Sequence, residues 1–200
     1  MRQRDKNIIR SLELFRCMSR DQIARIFFGE LKNPITNANY ALKRLRDRGY
    51  IKANVNRQPY VYFPSNSTMK KDSQKIDHFL GIVDIYIAFT KAGNLTDFQV
   101  EPKYSRESME PDAFFLFRSY PFFLEFQNSI YSDKVMKAKF QRYKDYYDSK
   151  EWHKGEWQQG NGEVIFPFIL IIGNKQYKIE AEDFQVFQFK SADEFVKSIS

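Results

Sequence analysis

Residues 41–63 read ALKRLRDRGYIKANVNRQPYVYF, and the change of rhythm inside this stretch sets the expected fold. Up to Leu45 the apolar residues follow a helical spacing. Ala38, Ala41, Leu42 and Leu45 fall three or four residues apart, which places them on one face of a helix. Arg48-Gly49-Tyr50 then interrupts the helix. Ile51–Val55 and Tyr60–Phe63 are two β-like runs around the polar turn Asn56-Arg57-Gln58, so the helix is predicted to lead into a hairpin.

Working backwards, Asn33-Pro34 marks the start of this helix, with Thr36 as an alternative cap. Ser19 is a good N-cap for an earlier helix that carries Ile23, Ile26 and Phe27 and stops near Gly29. A first helix is predicted over about Asp5–Cys17, with Ile8, Ile9, Leu12, Leu14 and Phe15 at roughly helical spacing. Three helices and a hairpin make the winged helix-turn-helix plan, and residues 1–64 are expected to form such a domain. LKRLRDRGYIK followed by a hairpin recurs at the end of recognition helices of this kind.

Charge supports a nucleic-acid role for that segment. Residues 1–64 hold 14 Lys and Arg against 5 Asp and Glu, a net of +9; the remainder holds 18 against 20, a net of −2. Positive charge concentrated in one segment favours phosphate contact through counterion release. The outward face of the third helix is expected to present Asn37, Asn39, Tyr40, Lys43, Arg44 and Arg46 to the major groove. Asn suits adenine and Arg suits guanine, whereas Lys43 and Arg44 would equally serve phosphates. Arg57 sits at the tip of the wing, and Arg2, Arg4 and Lys6 form a basic arm. A solvated basic face, or a winged helix used for protein docking, is the alternative.

The bulk composition narrows the remaining classes. Hydrophobic residues make up 42% of the 200, with 20 Phe and 12 Tyr, enough for a packed core. No apolar run approaches the ~20 residues of a spanning helix, and MRQRDKN has no apolar stretch behind its charges, so neither a membrane segment nor a secretory signal is expected. The single cysteine, Cys17, and two histidines exclude an internal disulfide and a zinc finger. A cytoplasmic location fits this usage.

Pro64-Ser65-Asn66-Ser67-Thr68 is small and polar and falls where the charge balance changes, so the second domain is expected over residues 69–200. A helix over Asp72–Ala92 should be followed by strands at Phe98–Tyr104, Ala113–Phe117 and Phe122–Phe126, a helix over Asp133–Asp148, strands at Phe166–Ile172 and Phe184–Phe189, and a short helix Ala192–Ile199. Met136, Phe140, Tyr143 and Tyr147 are the expected core face of the Asp133–Asp148 helix. Its Lys134, Lys137, Lys139, Arg142 and Lys144 read as a solvated face, or else as a second DNA contact. WHKGEWQQGNG, residues 152–162, reads as a polar loop whose tryptophans are either a contact surface or tucked beneath it.

Within this half, Glu125 sits in the Phe-rich strand FFLEF and Asp112 precedes a neighbouring strand, with twelve residues between them. Strand alternation puts Phe123, Glu125 and Gln127 on one side. A carboxylate among phenylalanines is costly to bury unless paired or liganded. Hairpin pairing would bring Asp112 beside Glu125, and two converging carboxylates suit a hard cation such as Mg²⁺. Pairing of either carboxylate with Lys103 or Arg106 is the plain alternative.

Glu110-Pro111-Asp112 with Glu125-Phe126-Gln127 resembles the metal motif of the PD-(D/E)xK nuclease superfamily. The chain as a whole resembles the replication-relaxation family of Gram-positive plasmids and phages, which join a winged helix to a divergent nuclease-like domain. The matching pieces, in order, are LFRCMSRDQIARIFF (14–28), ALKRLRDRGYI (41–51), YVYFPS (60–65), DHFLGIVDIYIAF (77–89), EPDAFFLF (110–117), FFLEFQNS (122–129) and KFQRYKDYY (139–147). The resemblance implies Asp112 and Glu125 as metal carboxylates, Asp84 as a further acid with Asp77 a weaker candidate, and a lysine two residues after Glu125. That position holds Gln127, which orients water but supplies no positive charge, so cleavage would need Lys134 or Lys139 to take over. The expected protein is α+β: a winged helix-turn-helix followed by a restriction-endonuclease-like domain, a sequence-specific binder of double-stranded DNA in replication, its control or transcriptional regulation, and a dimer if it reads paired half-sites. Its rivals are a Mg²⁺-dependent endonuclease or nickase and a protein-docking adaptor.

Overall fold

The structure, a computed structural model, describes residues 1–104, 109–158 and 164–199. Among these it is mixed α+β, with six α-helices and two sheets. Contacts divide the chain into residues 1–87 and 88–200.

The first unit runs α1 (Gln3–Phe15), β1 (Met18–Ser19), α2 (Arg20–Phe28), α3 (Pro34–Asp47), β2 (Ile51–Asn54) and β3 (Val61–Pro64). A capping box starts α2: the Ser19 hydroxyl accepts from the Gln22 backbone N–H at 3.2 Å, and the Gln22 side chain accepts from the Ser19 N–H at 3.0 Å. Pro34 occupies the first turn of α3, where its missing N–H costs nothing. Ala38, Ala41, Leu42 and Leu45 are its buried face, and truncating Leu42, fully enclosed, would cost roughly 2–5 kcal/mol. Gly49 takes φ +76° after α3, a left-handed conformation that glycine adopts without strain. β2 and β3 pair antiparallel in the register Ile51↔Pro64 to Asn54↔Val61. The unexpected β1 pairs Met18 with Tyr62 on the other side of β3, giving the order β1-β3-β2.

Helix α4 (Lys75–Ala92) begins in this unit. The sequence placed the domain change at residues 65–68, whereas contacts divide the chain between Ile87 and Ala88. The first turns of α4 account for the difference. The Gln22 side-chain N–H donates to the Leu80 carbonyl at 2.8 Å, the Phe15 and Tyr86 rings meet edge-on at 5.0 Å, and Ile76, Ile82 and Val83 are fully buried.

The second unit is a five-stranded sheet in the order β4-β5-β6-β7-β8. β4 (Leu95–Val100), β5 (Ala113–Phe117) and β6 (Tyr120–Phe126) form an antiparallel meander. After α5 (Asp133–Ser149), β7 (Phe168–Ile172) pairs parallel to β6, and β8 (Val186–Phe189) pairs parallel to β7. One sheet face, with Phe114, Phe123, Ile169 and Ile171, packs on Met136, Phe140, Tyr143 and Tyr146 of α5. On the other, Phe115, Phe117 and Phe122 meet Phe89 and Phe195, the latter from α6 (Ala192–Ser198). Tyr146 is buried where Tyr147 was expected, and Tyr147 instead stacks on Trp152 at 5.6 Å. Trp152 is buried and Trp157 partly so, its indole N–H donating to the Ile165 carbonyl at 3.0 Å, so both are tucked in; residues 159–162 of that expected loop lie outside the described residues. The Gln188 side chain pairs with both backbone groups of Tyr177, accepting from its N–H at 2.8 Å and donating to its carbonyl at 2.9 Å, which ties segment 177 to β8. Among the described residues no helix is long and apolar enough to cross a membrane.

Candidate nucleic-acid interface and carboxylate cluster

Because α3 buries Ala38, Ala41, Leu42 and Leu45, the opposite face of the helix is turned outward. Asn39, Tyr40 and Lys43 all lie exposed on it, and Tyr40 is 71% accessible. Lys43 makes no ion pair among the described residues. The other expected contacts are engaged within the unit. Asn37 folds back, its amide donating to the Asn33 carbonyl at 2.8 Å. Arg44 is turned to α1, where it bonds Asp5 at 2.7 Å. Asp5 is buried, so this pair fastens α1 to α3. Arg46 bonds its neighbour Asp47 at 3.2 Å, a weak surface contact it can leave. Arg57, in the turn between β2 and β3, bonds Asp77 at the start of α4. In the basic arm, the Arg4 guanidinium lies 4.8 Å from the centre of the Phe28 ring, while Arg2 and Lys6 are exposed.

Asp5 and Asp77 were not read as partners of the arginines. No local signal would have shown it, since the pairs span 39 and 20 residues. Asp84, carried over by resemblance as a further acid, lies 3.6 Å from Arg25 and is half exposed.

In the second unit the hairpin register brings Asp112 and Glu125 together. Ala113 pairs with Leu124, and the Asp112 N–H donates to the Leu124 carbonyl at 2.9 Å. The Asp112 carboxylate accepts the Phe126 N–H at 2.7 Å. Glu125 is 1% exposed, on the sheet face covered by α5. Its Oε1 accepts from the Tyr143 hydroxyl at 2.5 Å, and its Oε2 accepts from the Lys139 ammonium. Lys139 and Tyr143 are one turn apart on α5, so one helix face serves both oxygens. Gln127 donates from its backbone to Ile172 at 2.8 Å and from its amide to the Met136 sulfur at 3.2 Å. It lies against Gly173, where a Cβ would come within 2.9 Å of the Gln127 Cβ, so only glycine fits. Lys134 and Lys103 are exposed, and Arg106 lies outside the described residues.

Electrostatics follows from this burial. Desolvation pushes the Glu125 carboxyl up to about 7; the Lys139 charge opposes the rise and the Asp112 charge adds to it. Burial alone would lower the Lys139 ammonium, but Glu125 and Asp112 outweigh it and hold it above its ordinary value. Burial, then the Glu125 charge, drives the Tyr143 phenol far up, so it remains a donor.

These residues fit a divalent cation poorly. Both Glu125 oxygens already accept from α5, and one Asp112 oxygen accepts from backbone. Among the described residues, no group of three or more His, Cys, Asp or Glu converges as a metal set. The arrangement is instead complementary to a carboxylate: one cation and one hydroxyl for its two oxygens.

The family model described as replication-relaxation matches residues 64–159, from the end of β3 past α5. The chain is similar to that family over this stretch, while α1 to α3 and β2 precede it. No curated protein and no solved structure matches the chain.

Proposed function

We propose that the protein binds double-stranded DNA, sequence-specifically, through a winged helix-turn-helix formed by α1 to α3 and the β2–β3 hairpin, and that it acts in plasmid or phage replication, its control or transcription. The observation that carries this reading is the outward face of α3: Asn39, Tyr40 and Lys43 stand exposed together on the segment that holds the chain's surplus of positive charge. The similarity of residues 64–159 to replication-relaxation proteins supports the process.

In this mechanism α3 lies in the major groove. Asn39 reads a base edge, Tyr40 supplies apolar contact and Lys43 sits on phosphate. Arg46 swings from Asp47 to the backbone, and the wing brings Arg57 to a phosphate or the minor groove. Arg44 acts indirectly, by holding α3 on α1 through Asp5. Two copies of the chain would match two half-sites about 34–36 Å apart. The second unit, in this reading, is a PD-(D/E)xK-like domain that does not cleave, since Gln127 stands where the lysine is expected and Glu125 is occupied.

The test is a titration of the purified chain onto end-labelled DNA from the flanks of its own gene, beside a random control, with Mg²⁺ and with chelator. A shift on flanking DNA that weakens steeply with salt, with no shortened product, supports the reading. Product that appears only with Mg²⁺ makes the protein an endonuclease. Absence of any shift at low salt on either DNA sinks the proposal and favours a docking adaptor.

A further inference from the structure

Among the described residues, Glu125 is the most enclosed carboxylate of the second unit, 1% exposed, and its surroundings are specific. It lies in β6 on the same side as Phe123, on the face that α5 covers. A carboxylate there needs a counter-charge and two donors. Helix α5 provides both from successive turns: the Lys139 ammonium on Oε2 and the Tyr143 hydroxyl on Oε1. The Lys139 side chain is itself largely buried, 18% accessible, and it feels the Asp112 carboxylate as well. A positive group therefore already sits where two acidic side chains converge. A divalent ion could enter only by displacing it, and it would then meet the Tyr143 hydroxyl on the second oxygen.

We propose that the Lys139 ammonium is the resident cation of the Asp112–Glu125 site, occupying the place a divalent metal would take and bolting α5 to β6. The acidic pair is kept as the socket for a lysine from the same chain. This deepens the non-cleaving reading of the second unit, but it does not depend on DNA binding, and its test uses no DNA.

The experiment is a Mn²⁺ titration of the full chain, following free Mn²⁺ by electron paramagnetic resonance, together with thermal unfolding with and without Mn²⁺. Wild type should bind no Mn²⁺ through Glu125, and its unfolding midpoint should not respond to the ion. Lys139→Ala empties the place without removing the carboxylates. It should bind Mn²⁺ at least tenfold more tightly than wild type, and its midpoint should rise with Mn²⁺. If Lys139→Ala is unfolded alone, Mn²⁺ should restore it. The double variant Glu125→Gln/Lys139→Met, which removes both charges and leaves Tyr143 an amide partner, should fold and ignore Mn²⁺. Stoichiometric Mn²⁺ binding by wild type that Glu125→Gln abolishes would overturn the proposal. A Lys139→Ala chain that gains neither affinity nor stability from Mn²⁺ would overturn it too. Failure of the DNA-binding reading would show only in the gel titration and would leave these outcomes unchanged.

Discussion

Replacing Lys139 by Met should destabilise the protein in a way that depends on pH, and the dependence follows from the burial of Glu125. Removing one partner of a buried ion pair typically costs about 3–5 kcal/mol, because the other charge is stranded. Here a second route limits the cost, because the stranded carboxylate can take up a proton. Glu125 already titrates near 7 with Lys139 in place, against 4.5 for an ordinary glutamate. Its folded value therefore lies above its unfolded value, and wild-type stability falls as pH rises from about 4.5 towards 7, after which this group adds no further slope. Without the ammonium the folded value rises further, so the fall continues beyond 7 at about 1.4 kcal/mol per pH unit. The extra cost of Lys139→Met should thus be small at pH 6, about 1–2 kcal/mol at pH 8, and larger by about 1.4 kcal/mol at pH 9. Urea unfolding of both proteins at these three values measures it, as the difference in free energy extrapolated to water. An equal cost at pH 6 and pH 9 would mean that packing, not charge, was lost. No cost at pH 9 would mean that Lys139 does not neutralise Glu125 at all.

Other substitutions separate the roles proposed for the first unit. Lys43→Ala should weaken binding to every DNA alike and reduce the slope of log affinity against log salt by about 1, whereas Asn39→Ala should lose about 1–3 kcal/mol of discrimination at one base pair; competition gels at several salt concentrations distinguish them. Arg44→Ala should lower stability by about 1–3 kcal/mol through the stranded Asp5 while leaving the salt slope unchanged, and a lowered slope with unaltered urea midpoint would assign Arg44 to phosphate instead. Asp77→Asn releases Arg57, so it should raise affinity for random DNA and steepen the salt slope by about 1; unchanged binding would show that Arg57 makes no DNA contact.

Most elements were legible in the sequence because their signals are local. The Ser19 and Gln22 capping pair, Pro34 at a helix start and the three- and four-residue spacing of Ala38, Ala41, Leu42 and Leu45 each act within a few residues. The alternation around Glu125 placed it correctly on the same side as Phe123 and Gln127, and hairpin pairing was enough to set Asp112 beside it. Strand β1 escaped notice because two residues carry no period, and it exists only through its pairing with β3. Tyr146 and Tyr147 are equally compatible with helical spacing, and tertiary packing divides them: Tyr146 meets Phe123 and Phe166, while Tyr147 stacks on Trp152 and meets Phe184.

The sequence by itself determined the order of the helices and of every strand but β1, the segregation of positive charge into the first 64 residues, and the presence of two carboxylates fit to converge. Caps, periodicity and strand alternation are short-range, so they can be read from neighbours along the chain. Only the tertiary structure decided what the charged groups do. It turned Arg44 onto Asp5, gave Arg57 to Asp77, and delivered Lys139 and Tyr143 to the two oxygens of Glu125. Each of these partners lies 14 or more residues away, and at Asp5 and Glu125 the choice is made by burial: a charge carried out of water must take the counter-charge that packing brings within reach.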